Sequence, residues 1–256
     1  MLATKTTPIN YWPESACARA FWGQAELPPY RRLLWDTAAW LNPQPGDCWL
    51  DLGCGSGQLT KVLWAKSAGS VRSIVGLDFA PENERAFRRL LTELKPEPRS
   101  RVRFSLADFA QGLPTWPDGQ FDGVVSGLAI QYASSYSEAR GCWTTEAYDG
   151  VLQEVHRILR VGGRLVFSVN VPEPAWGKVA LQSLGGVFTV RQPLHYLKKA
   201  LRMMSYGGWL KREARCGRFH YLPIDAIRSK LRAVGFMDIE YRLSYAGQAY
   251  LIRCRK

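Results

Sequence analysis

The sequence CWLDLGCGSGQL at residues 48–59 combines an apolar run, an acid and alternating glycines. The apolar run ends at Asp51, glycines follow at positions 53, 55 and 57, and a helical pattern begins at Gln58. This order predicts a strand, a tight turn and the start of a helix. Glycine lets the backbone approach a ligand closely, and the first amides of a helix attract negative charge. The stretch therefore predicts a binding site for a ligand with an anionic end.

Strand and helix patterns alternate on both sides of this stretch. Further strands are predicted at 71–78, 102–106, 121–130 and 164–171, and the alternation with helices indicates a parallel sheet covered on both faces. Parallel strands end at one edge of a sheet, which would bring Asp51, Asp78, Asp108 and Ser126 together. Residues 236–244 and 248–255 are predicted to form an antiparallel pair around a turn at 245–247.

The composition is that of a globular protein. The 256 residues are 46% hydrophobic and 22% charged, and the formal net charge is +12. The six cysteines show neither CxxC nor CxxH spacing, which predicts no zinc site, no disulfide framework and a reduced cytoplasmic setting. The sequence has no apolar run of 18 residues and no signal-peptide pattern at its start.

The chain is predicted to be a single domain over residues 1–256 with two additions. Residues 1–45 are interpreted as an N-terminal helical arm, in which Pro28 and Pro29 are expected to separate two short helices. Residues 172–221 are punctuated by proline and glycine and are too long for a simple connection. This segment is interpreted as an insertion that caps the ligand.

The spacing of the glycines selects among nucleotide ligands. Dinucleotide and P-loop motifs are excluded, because Gln58 and Thr60 occupy positions where a dinucleotide fingerprint needs glycine and no Gly-Lys-Ser/Thr triplet follows. Asp78, at the end of the next strand, is suited to accept hydrogen bonds from both hydroxyls of a ribose. One acid alone would more simply cap a strand end, but acids at three successive strand ends favour a ligand site.

Five segments in order resemble the class I S-adenosylmethionine-dependent methyltransferases, in particular small-molecule enzymes of the type 11 and type 25 kind. They are LDLGCGSG at 50–57, GLD at 76–78, AD at 107–108, FDGVVS at 121–126 and HRILRVGGRL at 156–165. The resemblance implies an α/β, Rossmann-like fold. Its features are a seven-stranded, mostly parallel sheet with helices on both faces, a closing antiparallel strand pair and a cap insertion.

The resemblance also implies S-adenosyl-L-methionine as cofactor and assigns residues to it. Asp51 and the glycine turn would hold the methionine end, Asp78 the ribose, and Asp108 the adenine, whose ring would lie near Phe79 and Phe109. The implied cofactor-binding residues are Asp51, Gly53, Cys54, Gly55, Gly57, Asp78, Phe79, Ala107, Asp108, Phe109, Ser126 and Gln131.

The catalytic base is not fixed by the sequence. Tyr132 follows the fourth strand, where related small-molecule enzymes place an aromatic residue or a histidine, and His195 and His220 lie in the predicted cap. Simple packing is an alternative interpretation for each of the three. The turn after the fourth strand lacks the Asn/Asp-Pro-Pro-aromatic motif of amino-methylating nucleic-acid enzymes and a Pro-Cys pair for cytosine-C5 methylation.

The predicted cap is basic and rich in aromatic residues. Eight arginines and lysines over 191–218 accompany a single acid, Glu213, among apolar residues. This composition favours a small hydrophobic or amphiphilic acceptor, with anionic lipid as a further partner. The alternatives are an RNA methyltransferase, a binding module without catalysis, and a solvated face without a partner. The acceptor, the methylated atom and the oligomeric state are not predicted.

Overall fold

A computed structural model describes residues 22–184 and 206–256, and its centre is a seven-stranded sheet. The strand order is β3-β2-β1-β4-β7-β9-β8, with parallel pairing up to β7 and antiparallel pairing of β9 with β7 and β8. The strands of this sheet are β1 Cys48–Leu52, β2 Ser73–Asp78, β3 Val102–Leu106, β4 Phe121–Gly127, β7 Leu159–Asn170, β8 Met237–Ser244 and β9 Ala249–Arg255. The predicted sheet and its closing antiparallel pair are confirmed.

Helices pack on both faces of this sheet. They are α1 Pro28–Trp40, α2 Gln58–Lys66, α3 Pro81–Glu93, α4 Glu146–Ile158, α5 Trp176–Leu184, α6 at residues 206–215 and α7 Ile224–Val234. Short 3-10 turns occur at Gly23–Glu26, Arg99–Arg101, Phe109–Gln111 and Ile130–Tyr132. No helix in the described ranges is long and apolar enough to cross a membrane.

The side chains of β1 point alternately to the two faces of the sheet and so belong to two separate layers of the core. Leu50 and Leu52 belong to a layer with Val151 of α4, whereas Trp49 belongs to the opposite layer with Leu63 of α2. All five residues of β1 are buried, as expected for a central strand covered on both faces. Burial of each large apolar side chain stabilises the folded state by roughly 1.5–3 kcal/mol. The layers fix the strand ends from which the site is built.

One predicted boundary was wrong. The glycines at 162 and 163 predict the end of a helix before the strand at 164–171, but α4 ends at Ile158, β7 begins at Leu159, and the glycines lie inside the strand, where its register with β4 shifts. Gly162 has a φ of +75°, which suits such an irregularity.

Pro28 and Pro29 begin α1, because proline is pre-organised for the first turn of a helix. A 3-10 helix at Gly23–Glu26 precedes them, so helical segments lie on both sides of the break at Leu27.

One element was not predicted from the sequence. Residues Ser135–Ser137 (β5) and Cys142–Thr144 (β6) form a separate antiparallel hairpin between β4 and α4. The predicted fourth strand also ends earlier than expected, at Gly127, because Leu128 has a positive φ of 54° and turns the chain. These turns bring residues 128–134 over the carboxyl ends of the parallel strands.

Candidate active site

A cavity of about 320 Å³ lies at the carboxyl ends of the parallel strands. We name its two sides by their residues. The acidic half is formed by Asp51, Asp78, Phe79, Asp108 and Phe109, from the ends of β1, β2 and β3. The aromatic half is formed by Tyr30, Tyr132, Asn170, Trp176 and Tyr245, together with Leu27, Val179 and Leu210. The acidic half lies on the β1–β3 side of the sheet, and Asn170 of the aromatic half lies at the end of β7.

The glycine turn forms the floor of the acidic half. Gly53 has a φ of +71°, and a Cβ there would lie 2.3 Å from the Cβ of Ala129, so a side chain would collide with the chain that follows β4. Gly55 also has a positive φ, of 54°, but a Cβ there would meet no atom within 4 Å among the described residues. Since Gly55 lines the cavity, this open space is available to a ligand.

Several backbone N–H groups of the glycine turn are already hydrogen-bonded within the protein. The N–H groups of Gly53 and Cys54 donate to the Leu77 carbonyl at 2.8 and 2.9 Å, and that of Gly55 donates to the Asp78 carboxylate at 2.9 Å. In the first turn of α2, the Thr60 N–H donates to Asp51 at 2.8 Å. Because these four donors are used within the protein, they do not provide the predicted anion site.

Asp51 instead offers an acceptor to a positively charged group. Its Oδ2 accepts from both the N–H and the hydroxyl of Thr60, at 2.8 and 2.7 Å. Its Oδ1 is buried and has no hydrogen-bond partner among the described residues. Burial, with a smaller contribution from Asp78, raises the pKa of Asp51 to about 7, although the bonds from Thr60 oppose the shift. A cation or a hydrogen-bond donor at Oδ1 would satisfy the orphaned oxygen.

Asp78 is held by three donors at the end of β2. Its Oδ2 accepts from Gly55 N–H, and its Oδ1 accepts from Ala80 N–H at 2.9 Å and from the Asn83 amide at 3.0 Å. The Asn83 Oδ1 in turn accepts from the Trp22 indole N–H at 2.8 Å. Burial raises the pKa of Asp78, and these hydrogen bonds oppose the shift. A carboxylate has about four acceptor positions, and three are used here, so one position remains for a ligand hydroxyl.

The remaining residues predicted around the cofactor divide into two groups. Asp108, whose Oδ1 accepts from Ala110 N–H at 2.9 Å, lines the cavity together with Phe79, Phe109 and Cys54. Burial raises the pKa of the Cys54 thiol well above its ordinary value, which disfavours the reactive thiolate. The residues that do not line the cavity are Gly57, Ala107, Ser126 and Gln131.

These four residues lie outside the cavity and contact the elements that form it. Gly57 has a φ of +84° at the start of α2, and Ala107 packs against the core. The Ser126 hydroxyl donates to the Leu52 carbonyl at 2.7 Å. The side chain of Gln131 accepts from Asn170 N–H at 2.6 Å and donates to the Leu128 carbonyl at 3.2 Å. The last two bonds fix the strand ends of β4 and β7 relative to each other.

The three catalytic candidates have different positions. Tyr132 lines the cavity, and its ring lies edge-on to Phe219 at 4.8 Å. His220 does not line the cavity: it is buried, its Nε2 lies 3.0 Å from the Ala133 carbonyl, and its ring packs edge-on against Tyr148. This placement favours packing, the alternative interpretation of His220. His195 lies outside the described residues.

Most of the aromatic half was not predicted from the sequence. Tyr30 comes from α1, Trp176 from the start of α5 and Tyr245 from the turn between β8 and β9, and the three belong to one apolar cluster. Tyr30 and Tyr245 pack edge-on at 6.2 Å between ring centres. Each residue belongs to a different element, so no periodic pattern links them. The aromatic composition of the N-terminal segment was the one available signal.

The tyrosines of this region are neutral hydrogen-bonding groups. Burial raises the pKa of Tyr221, which lies beside Tyr132 and Asn170, to about 12. Burial also raises the pKa of Tyr30, with a contribution from Asp51, and that of Tyr245. None of these three phenols is ionised near neutral pH, so they can donate a proton in a hydrogen bond but are poor bases.

Part of the positive charge of the cap is paired. Glu173 accepts from Lys211 at 2.7 Å and from Arg215 at 3.2 Å, and Arg218 pairs with Glu213 at 3.2 Å. Arg218 also lies over the Trp143 ring, 5.1 Å from its centre, which connects the cap to the β5–β6 hairpin. Arg212 is exposed, and the other four basic residues of the predicted cap, Arg191, Lys198, Lys199 and Arg202, lie outside the described residues.

Comparison with known proteins finds that the chain is similar to methyltransferases. A family model described as a methyltransferase domain matches residues 50–167. The chain is 32% identical over 209 residues to a demethylmenaquinone methyltransferase of Thermus thermophilus, and the match spans 78% of both chains. It is 30% identical to a 2-phytyl-1,4-naphtoquinone methyltransferase of Nostoc over 122 residues, 47% of this chain and 45% of the relative.

A solved structure has a similar fold. It is a putative S-adenosyl-L-methionine-dependent methyltransferase from Methanococcus maripaludis, with a TM-score of 0.61 and 15% identity. The alignment covers 100% of this chain and 97% of the other. At that identity the similarity concerns the fold alone.

Proposed function

The chain belongs to the class I S-adenosylmethionine-dependent methyltransferase family, and on this premise we propose that it methylates a small hydrophobic or amphiphilic acceptor bound in the aromatic half of its cavity. The observation that carries the proposal is the apolar wall of that half. Leu27, Val179, Leu210 and Trp176 line it, whereas the acids come from the ends of β1, β2 and β3. An apolar wall with a few polar groups is typical of small-molecule sites.

The acidic half fits the cofactor of the family. The orphaned Asp51 Oδ1 suits the ammonium of the methionine end, the open space at Gly55 suits close backbone approach, and Asp78 suits the ribose hydroxyls. We assign Asp108 to the adenine amino group and Phe79 and Phe109 to the adenine ring. When bound, S-adenosylmethionine supplies an electrophilic methyl group on a positively charged sulfur.

The residues of the aromatic half are suited to orient the acceptor. Methyl transfer forms one bond to the acceptor and breaks one carbon–sulfur bond in line, so positioning accounts for much of the catalysis. The phenols of Tyr30, Tyr221 and Tyr245 are neutral near pH 7 and would donate hydrogen bonds to the acceptor or to each other. An acceptor that ionises by itself, such as a phenol, would lose its proton to water during the reaction.

The names of the relatives suggest the first acceptors to test. Demethylmenaquinone and 2-phytyl-1,4-naphthoquinone both contain a naphthoquinone ring with a long apolar chain. The match to the first of these relatives covers 78% of each chain. We therefore propose a reduced, hydroquinone-type ring as the leading acceptor class and residues 172–221 as its cap.

The alternative acceptor, RNA, receives less support from the charges of the cap. Lys211, Arg215 and Arg218 already have carboxylate partners at 2.7–3.2 Å, so contact with phosphates would break existing ion pairs. An RNA enzyme would show binding that weakens steeply with salt.

The proposal is tested by methyl transfer from labelled cofactor. The purified protein is incubated with a chemically reduced demethylated naphthoquinone in one arm and with total RNA in the other. We expect label in the naphthohydroquinone, none in the RNA, and loss of the naphthohydroquinone label in Asp78→Ala. Label in RNA would replace the proposal by the alternative, and label in neither, with cofactor binding intact, would refute the naphthohydroquinone class.

A further inference from the structure

Two polar atoms that line the aromatic half are buried without hydrogen-bond partners in the described part of the chain. They are Asn170 Oδ1 and the Trp176 indole N–H. Buried polar groups are nearly always paired in folded proteins, and leaving one unpaired is costly. Two such groups on the wall of one cavity point to a ligand that completes them.

Both groups are held in fixed positions. Asn170 is the last residue of β7, is only 1% exposed, and its backbone N–H donates to Gln131 at 2.6 Å. Trp176 begins α5 and packs closely against α6, since a Cβ on Gly207 would lie 3.0 Å from the indole. Tyr221 lies behind the cavity wall, packs in the same apolar cluster as Trp176 and interacts through its hydroxyl with Asn170 and Tyr132.

Both groups face the cavity and have opposite hydrogen-bonding character. Asn170 and Trp176 both line the cavity, where Oδ1 can only accept a hydrogen bond and the indole N–H can only donate one. A hydroxyl group both donates and accepts, so one ligand hydroxyl can satisfy both. A carboxylate or phosphate would leave Oδ1 unpaired, and a hydrocarbon would leave both unpaired.

We propose that Asn170 and Trp176, supported by Tyr221, form a subsite that binds a phenolic or enolic hydroxyl of the acceptor. This inference rests on the proposed function, because it specifies the acceptor within the aromatic half. The apolar side chains of Val179 and Leu210 would contact the carbon skeleton of the acceptor. The subsite would fix the ring relative to the cofactor, so these are positioning residues.

The subsite suits a hydroxyl that keeps its proton. Asn170 Oδ1 can accept a hydrogen bond only from a protonated hydroxyl, and the Trp176 indole N–H donates to a lone pair of the same oxygen. Both bonds are satisfied by the neutral hydroxyl, so the subsite orients the ring and does not remove the proton.

A set of three naphthalene probes separates the two hydrogen bonds. 1-Naphthol donates and accepts, 1-methoxynaphthalene only accepts, and 1-methylnaphthalene does neither. Affinities are measured by equilibrium dialysis with the protein saturated by S-adenosylhomocysteine. Since each bond contributes a factor of about 2–10, we expect 1-naphthol to bind the wild-type protein roughly 4–100 times more tightly than 1-methylnaphthalene.

Conservative variants assign each bond to a residue. Asn170→Leu is expected to lower the affinity for 1-naphthol to that for 1-methoxynaphthalene. Trp176→Phe is expected to weaken both oxygen-bearing probes by about 2- to 10-fold. Tyr136→Phe, which removes the hydroxyl of an exposed tyrosine, is the control and should change nothing.

A purely structural role is distinguished by stability. Because the deleted atoms have no partners in the described part of the protein, the melting temperature of Trp176→Phe should stay level or rise. Cofactor affinity should be unchanged in both variants. Trp176→Phe keeps the ring, so it remains informative if Asn170→Leu does not fold.

Equal affinities of the wild-type protein for the three probes would overturn the subsite, as would variants that leave the preference intact. Failure of the proposed function gives a different result. If the protein prefers 1-naphthol through Asn170 and Trp176 but methylates no naphthohydroquinone, the subsite stands and the acceptor class must be sought among other hydroxylated rings.

Discussion

The acidic and aromatic halves of the cavity are built in different ways. In the acidic half, the key carboxylates are held by nearby backbone: Asp51 by Thr60, Asp78 by Gly55 and Ala80, and Asp108 by its own turn. In the aromatic half, side chains from separate connections meet, and two lining groups lack partners among the described residues. The acidic half is thus pre-organised for one ligand, whereas the aromatic half is completed by another.

The largest expected effect on cofactor affinity comes from removing Asp78, the acid of the acidic half that is proposed to bind the ribose. Asp78→Ala deletes the hydrogen bond that its remaining acceptor position offers to the cofactor, worth about 1.5–3 kcal/mol, and removes the partner of Gly55, Ala80 and Asn83, so the Kd should rise by at least about 10- to 10²-fold. Calorimetry with the cofactor measures the change. Asp225→Ala, at an exposed acid at the start of α7, is the control. An unchanged Kd in Asp78→Ala would refute the assignment of the acidic half.

The second prediction concerns the free energy of unfolding, which the buried carboxyl group of Asp51 makes dependent on pH. Its pKa is raised from 3.8 to about 7, so the folded protein binds more protons than the unfolded chain between these values. Stability therefore falls as pH rises from about 4 to 7 and stays low above it. Asp51→Asn cannot ionise and should be more stable than the wild-type protein at pH 8, by roughly 2–4 kcal/mol.

The same variant should bind the cofactor less well at pH 8, because the ammonium end loses its anionic partner. The wild-type to variant ratio of affinities should increase between pH 6 and 8 as Asp51 ionises. Melting curves and calorimetry at both values measure the two effects. Parallel pH profiles for the two proteins would show that Asp51 does not ionise in this range.

The smallest of the three effects lies in the aromatic half. Ala180 lines the cavity, and Ala180→Phe should raise the acceptor KM about 10-fold by overfilling it, while the cofactor Kd changes by less than about 2-fold. Gln182→Phe adds the same ring on the exposed side of α5 and is the matched control. Initial-rate kinetics and calorimetry give the two constants. A parallel loss of cofactor affinity in Ala180→Phe would show that the halves are not independent.

The acidic half could be predicted from sequence because its information is local. The glycine turn and the acids lie within a few residues of strand ends, and the parallel topology brings strand ends to one edge. Local reasoning failed where the chain conformation depends on pairing: Gly162 lies inside β7 because that strand begins at Leu159, opposite Phe121. The same limit applies to the turn amides, whose acceptor at Leu77 lies on another strand.

The aromatic half could not be predicted because it depends on tertiary packing. Tyr245 lies in a hairpin turn with a positive φ of 54°, a position that suggests solvent rather than a cavity wall. Asn170 is a polar residue at the end of a buried strand. Only the structure shows that its Oδ1 has no hydrogen-bond partner among the described residues and could therefore bind a ligand. Such residues carry no spacing that a single sequence could reveal.

The hydrogen bond from the Trp22 indole to Asn83 has a consequence for the timing of the reaction cycle. Asn83 also donates to Asp78, so the segment before α1 is fastened over the acidic half through the carboxylate proposed to hold the ribose. Since Trp22 and Asn83 both line the cavity, we expect this fastening to open when the spent cofactor leaves. We therefore expect product departure, and not the bond-making step, to pace turnover, with the segment before α1 acting as the latch.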